Sequence, residues 1–350
     1  MIMEKYKILL MSDCADGSLK TFIDGIESSC PCYVKSKNSR WGGHNNMISN
    51  ILRYIGYFIL PFRCLFMYKD YDFILGWQQF HAIILAFYLR LLQLKKSGKI
   101  VAVNFTYKRK LGMTGTLYHR FMRYACNSYY IDYFHVPSNK YVERMEKELG
   151  IPKEKFIITG FGIDDIFQSK KNEHVNKGSF CISIGRSNRD FDWLVDVWRQ
   201  DCLKEKKLII LSDVWHPKDT LSPNVEFHNN VVGAPQYAYF NDAQICITPI
   251  ADGCICSGDT VLLTGMMFGK PIVVTSPSTL AEMYVRNGNN GLVIEKKNVQ
   301  KAAQQIVELL DNPHECSQLG ENARKDFLEN YSRQNMGRKI GKVLNGTVLT

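Results

Sequence analysis

QICITPIADGCICSGDTVLLTGMMFGKPIVVTS, residues Gln244–Ser276, decides the fold. Both of its ends, 244–250 and 270–276, are short β-rich runs. Between them, a loop with Asp252 and a Cys-x-Cys leads into an apolar helical segment that starts at Ser257-Gly258 and stops at Gly269. Strand, helix, strand at this pitch is the unit of a parallel sheet covered on both faces. The alternation continues upstream with strands in SFCISIG (179–185), KLIILS (207–212) and VEFHNNV (225–231). A helix in DFDWLVDVWRQ (190–200) shows helical apolar spacing at Phe191, Leu194, Val195 and Trp198. Downstream follow a helix in 278–288, a strand in 291–296 and a long amphipathic helix in 299–312.

The first half has the same pattern with more noise. Strands are expected in YKILLMS (6–12), YDFILGW (71–77), KIVAVNFT (99–106), YFHVPSN (133–139) and the start of KFIITGFGIDDIF (155–167). Helices are expected in 81–98 and in NKYVERMEKELGIP (139–152), the latter stopped by Gly150 and Pro152. The expected organisation is α/β: a Rossmann-like domain over 1–165, a polar linker over 166–178, a second Rossmann-like domain over 179–330, and a helix over 331–350 that packs back on the first domain.

The chain has 350 residues, a net charge of +10 and no repeat. The charge is uneven: residues 1–165 hold 23 Lys and Arg against 14 Asp and Glu, the remainder 21 against 20. The eleven cysteines are scattered, and the start has only a short apolar run before turning acidic, so reduced thiols and a cytoplasmic location are expected. The two Cys-x-Cys pairs, Cys30/Cys32 and Cys254/Cys256, lack the spacing of a four-ligand site, and no metal is expected. NILRYIGYFILPFRCLFMYKDY (50–71) is interrupted by Arg53, Pro61, Arg63 and Lys69, short of the roughly 20 apolar residues that span a bilayer. It is either a core helix with a following loop or a partly exposed apolar, basic surface at the inner face of a membrane. The coincidence of charge and aromatic content favours the second. Basic residues dispersed among apolar ones, without a recognised module, speak against nucleic acid.

Ligands of such sheets sit beyond the carboxyl ends of strands. At one such end stands GRSNR, with Gly185, Arg186 and Arg189; guanidinium groups match phosphate oxygens in charge and fork geometry. At another stands Ser257-Gly258-Asp259-Thr260, a helix start whose free N–H groups and positive dipole end suit phosphate.

These two motifs, with TPI (248–250) and the run from Ser257 to Ile294, resemble a GT-B glycosyltransferase of the family-4 type, most specifically over 179–312. The resemblance implies two facing Rossmann-like domains, the second holding a nucleotide-diphosphate sugar and the first an acceptor. It implies sugar transfer to a glycan or lipid-linked glycan in surface polysaccharide assembly, retaining and metal-independent, with no cofactor beyond the nucleotide sugar as co-substrate, a UDP-sugar favoured. Two glutamates separated by seven residues are common in the family; Cys256 and Thr264 stand at the matching positions. Thr264 would then meet the ribose through a hydroxyl, and Asp252 or Glu282 would take over near the donor sugar. For acceptor activation the residues offer Asp16, in the loop after the first strand, and His44 in a Gly-rich loop, with His81 as a further histidine. A nucleotide-sugar 2-epimerase on the same fold and a non-catalytic partner of a transferase remain as alternatives, the second supported by the missing acids.

Overall fold

A computed structural model describes residues 5–39, 47–253 and 257–346; His44, Cys254 and Cys256 lie outside the described residues. The chain divides into two units, Met1–Gly162 with Arg333–Thr350, and Ile163–Ser332.

The first unit runs β1 (Tyr6–Ser12), α1 (Lys20–Glu27), β2 (Cys32–Asn38), α2 (Met47–Cys64), β3 (Phe73–Gly76), α3 (Gln79–Leu91), β4 (Lys99–Ala102), α4 (Gly112–Cys126), β5 (Ile131–Val136), α5 (Asn139–Leu149) and β6 (Phe156–Ile158). All pairings are parallel, in the order β2-β1-β3-β4-β5-β6. Alternate residues of one strand feed the two faces. Ile8 and Leu10 pack with Phe22 and Ile26 of α1, whereas Leu9 and Met11 pack with Leu60 of α2, Ile83 of α3 and Met122 of α4. With helices on both faces, the inner strands are apolar throughout. Local signals end the elements: Ser138 Oγ accepts from Tyr141 N at the start of α5, and Gly150 closes it at φ 74°.

The second unit contains α6 (Phe167–Lys170), β7 (Cys181–Ile184), α7 (Phe191–Trp198), β8 (Leu208–Leu211), β9 (Val225–His228), α8 (Gln236–Asp242), β10 (Cys246–Thr248), α9 (Asp259–Met267), β11 (Ile272–Ser276), α10 (Thr279–Tyr284), β12 (Gly291–Glu295), α11 (Val299–Leu310) and α12 (Pro313–Asp326). Its sheet is parallel in the order β12-β11-β10-β7-β8-β9. The first strand of the unit, β7, and the fourth, β10, are neighbours, so the order reverses between them. That is the topological switch point of a doubly wound parallel sheet, where a crevice opens at the carboxyl ends.

Residues 166–178, set apart as a linker by their polarity, divide with the second unit and are tied to it. Asp165 makes two hydrogen bonds with Arg324, at 3.0 and 2.7 Å, and Asp242 accepts from Val175 N and Asn176 N. A wide turn at Phe327–Tyr331 precedes Ser332, and α13 (Arg333–Leu344) then packs in the first unit.

Glycines set the closeness of α13 to α1. A Cβ on Gly337 would overlap the carbonyl of Phe22, and one on Gly25 would overlap the carbonyl of Gln334. Backbone therefore meets backbone, with Met336 and Ile340 filling the core beside Phe22 and Ile26. Gly337→Val should destabilise the first unit by about 1–3 kcal/mol through overpacking. A chemical denaturation curve would show it; an unchanged midpoint would remove the close approach as a stability determinant.

Candidate functional site

The switch point of the second unit carries both sequence motifs. The loop after β7 and the loop after β10 are zipped together by backbone bonds: Asp190 N donates to Pro249 O at 3.0 Å, Ala251 N donates to Asn188 O at 3.2 Å, and Arg189 bridges Ile250 in antiparallel fashion. Asn188, at φ 56°, clamps the far loop with its amide. Its Oδ1 accepts from Asp252 N at 2.8 Å and its Nδ2 donates to Asp252 O at 3.0 Å. Lys296, from the end of β12, pairs with Asp190 and donates to Ile250 O at 3.3 Å.

Arg189 occupies the angle between the two motifs. Its Nε donates to Ile184 O at 3.2 Å; one terminal nitrogen donates to Ser187 O at 3.2 Å and to Ser257 O at 3.4 Å. The side chain lies where a Cβ of Gly185 or of Gly258 would be, so a larger residue at either position would displace it. Gly258 also holds φ 112°, which side-chain-bearing residues rarely adopt. Burial pulls the Arg189 guanidinium down to about 10, with Cys246 and Asp259 acting the other way; it remains a cation at neutral pH.

Arg186 is different. It is exposed, and its Nε donates to Asp213 Oδ1 at 2.8 Å, at the end of β8. A cavity of about 380 Å³ opens here, lined by Gly185, Arg186, Arg189, Ser257, Gly258, Thr260 and Val261, and on the other side by Ser212, Asp213, Gly233 and Gln236. The arrangement presents two cations and the start of α9 to one space, which suits a dianionic group such as a diphosphate.

The remaining expected residues fall in varied places. Ser257 does not cap α9; Gly258 stands at the cap position without a side-chain bond, and Ser257 Oγ is 3.0 Å from Ser187 Oγ. Asp259 accepts from the Tyr284 hydroxyl at 2.7 Å. Thr264 is buried, and its hydroxyl donates back to Thr260 O at 2.7 Å, an acceptor that a threonine inside a helix finds one turn away. Asp252 is exposed beside the cavity loop, and Glu282 is exposed in the first turn of α10; neither lines the cavity. Asn188, Asp213 and Lys296 were not singled out in the sequence. Asp213, an acid directly after a buried strand run, was the most accessible of these signals.

In the first unit, Asp16 follows β1 and accepts from Asn38 Nδ2, and the nearby Asp13 accepts from the Tyr57 hydroxyl at 2.9 Å. His81 is fully buried, its Nε2 3.2 Å from Ser39 Oγ, and burial pushes it down to about 4. It is therefore neutral near pH 7. Among the described residues there is no cluster of three or more His, Cys, Asp or Glu that could hold a metal.

Residues 179–312 match the family described as glycosyl transferases group 1. That match lies within the second unit, and the chain has the GT-B fold. A protein of Methanocaldococcus jannaschii, named as an uncharacterized glycosyltransferase, is 34% identical over 83 residues, 24% of this chain. The matched stretch covers only 23% of that relative's length. The Anabaena HepE structure with UDP and glucose aligns over 97% of this chain and 99% of its own, at 14% identity and a TM-score of 0.63. WaaG, described as a glycosyltransferase involved in lipopolysaccharide biosynthesis, aligns over 97% and 99% at 14% identity and a TM-score of 0.61. At such identities the likeness is one of fold. Both alignments run through both units, and the residues that line the cavity all fall within the matched stretch 179–312.

Two outcomes test these assignments. By calorimetric titration with UDP, Arg186→Ala should weaken binding by about tenfold to a hundredfold, the loss of a charged hydrogen bond, at unchanged melting temperature. Gly258→Val should weaken binding and lower the melting temperature together, because it displaces Arg189. The second outcome concerns pH. His81 and His135 are both buried and held down to about 4, against an unfolded value of about 6.5. Between these values the unfolded chain binds protons that the native chain does not. The stability contributed by keeping them neutral is thus complete above pH ~6.5 and lost as pH falls toward 4. Denaturation midpoints should drop over that window, and His81→Gln should flatten the drop.

Proposed function

We propose that this chain is a glycosyltransferase that moves a sugar from a nucleotide-diphosphate sugar, a UDP-sugar by preference, to a glycan or lipid-linked glycan acceptor in surface polysaccharide assembly. One observation carries the reading: Arg186, Arg189 and the start of α9 converge on a single cavity at the switch point of the sheet that the group 1 match covers. In transfer, the bond from the anomeric carbon to the diphosphate breaks and negative charge grows on the leaving oxygens. Fixed cations and N–H dipoles placed at that charge lower the barrier without reorganising. Arg186 would take the phosphate oxygens directly. Arg189, committed to carbonyls, would hold Gly258 and the helix start in position and add its charge. Neutralisation of the leaving group by these groups is why no metal is assigned a role in it.

The nucleotide is supported by the HepE structures with UDP and UDP-glucose, and the polysaccharide role by the description of WaaG. Retention at the anomeric centre follows the family resemblance. Asp252, carried on the loop that Asn188 clamps, is the carboxylate we assign near the donor sugar. Asp16 and His44 are the residues we assign to the acceptor side. Work at the cytoplasmic face of a membrane fits a lipid-linked acceptor. A second reading, a non-catalytic partner that binds the nucleotide sugar without turning it over, is favoured by Thr264, which stands where an acid is common and is bonded to its own helix.

Incubation of the purified chain with a panel of nucleotide sugars, with and without a membrane-lipid extract, separates these. Acceptor-dependent release of nucleoside diphosphate, insensitive to a chelator and reduced strongly by Asp252→Asn, is the expected result. Binding without release in every combination selects the non-catalytic reading.

A further inference from the structure

The first unit exposes an apolar face that none of the described residues covers. In α2 the buried side chains are Tyr57, Leu60, Pro61 and Cys64, on the side that packs with α3 and the sheet. On its outer surface, Ile48, Ile51, Ile55, Phe58 and Phe62 follow a three-four spacing along the helix and all are exposed, Ile48 by 71%. Phe66, 81% exposed, extends the stripe past the helix end. Isolated exposed apolar residues need no explanation, but a continuous stripe does. Beyond α3, the start of α4 and the residue before it expose further apolar side chains: Leu111 (94% exposed), Met113 (83%) and Leu117. The cluster beneath the sheet face joins α2, α3, α4 and α5, and successive right-handed crossovers put these helices on one side of the sheet.

Charge narrows what can cover this face. From Ser28 to Ile131 the chain carries fifteen Lys and Arg and two acids, Asp70 and Asp72. The helices themselves contribute Arg53, Arg63, Arg120 and Arg123, and the loop before α4 contributes Lys108, Arg109 and Lys110. A second copy docked through the same face would set these cations against their own kind. No helix among the described residues is long and apolar enough to cross a membrane. An apolar stripe bordered by cations, on a helix that lies flat on its own domain, matches the interface of an anionic bilayer: side chains enter the acyl boundary while Lys and Arg meet phosphate headgroups.

We propose that the α2–α4 face of the first unit is a docking surface for an anionic lipid bilayer. It would bring a lipid-linked acceptor to the chain, and in that respect it deepens the function proposed above. The lipid binding itself stands on its own observations and needs no sugar donor.

The test is co-sedimentation of the purified full-length chain with vesicles, without any nucleotide sugar. One set is phosphatidylcholine alone, the other phosphatidylcholine with phosphatidylglycerol. The chain should pellet with the anionic vesicles, and added salt should release it. Ile55→Ser with Phe58→Ser should weaken the partition by about tenfold or more, and Lys108→Glu, Arg109→Glu and Lys110→Glu together by at least as much. Both variants should keep wild-type UDP affinity and melting temperature, so a lost partition cannot be lost folding. Equal binding to neutral vesicles, no binding, or undiminished binding by both variants would overturn the proposal. So would self-association in sedimentation velocity that the Ile55 and Phe58 substitutions abolish while vesicles are ignored; that result would make the face an interface between copies. Failure of lipid binding with intact donor turnover would leave the transferase reading standing, and the reverse result would separate the two equally well.

Discussion

The buried fork of Arg189 is the interaction on which the second unit's site depends. A strand end and a helix start that approach within one side chain's width leave carbonyls pointing into a shared space. Those carbonyls need donors, because unpaired polar groups away from water are costly. One guanidinium serves Ile184, Ser187 and Ser257 at once, a reach that a lysine's single ammonium does not have. The consequences spread outward from there. Gly185 and Gly258 leave the space the fork takes, and the shape of the α9 start follows from Gly258 at φ 112°. The two arginines of GRSNR thus divide their work, Arg189 toward architecture and Arg186, held by Asp213, toward solvent.

The alternation of strands and helices in the second unit was legible because its central strands are mostly apolar and α7 and α11 keep a clear 3.6-residue period. The first unit was harder, for identifiable reasons. β2 is an edge strand whose CYVKSKN mixes exposed polar residues with few buried ones, so it lacks the apolar run of a central strand. α4 begins on Gly112 and turns Met113 and Leu117 outward, which hides its helical period. α1 meets its partner through Gly25, a residue that reads as a helix breaker and acts here as a close-approach point.

At the site, the positions of Arg186, Arg189, Gly185 and Gly258 were legible from motif and strand end alone. What each side chain does was not. Ser257 and Arg189 line the cavity and also bond within the protein, to Ser187 and to three carbonyls; a sequence shows residue types and not which partners lie within reach. Asn188 escaped notice for the same reason: its clamp on Asp252 spans 64 positions. The α2 segment could be taken as core or as surface until its burial was known. Both faces of that helix are apolar, and hydrophobicity by itself carries no sign for inside or outside.

The second unit enters at Ile163 and leaves at Ser332, and these two residues form a parallel bridge, with Ile163 N donating to Tyr331 O at 3.1 Å. The first unit is therefore built from two distant pieces of chain, whereas the second is one continuous piece whose ends are hydrogen-bonded neighbours. A piece closed in this way is a cassette. Evolution can exchange it, and with it the chemistry of its switch-point cavity, by recombination at two adjacent junctions, leaving the glycine-tight pairing of α1 with α13 untouched.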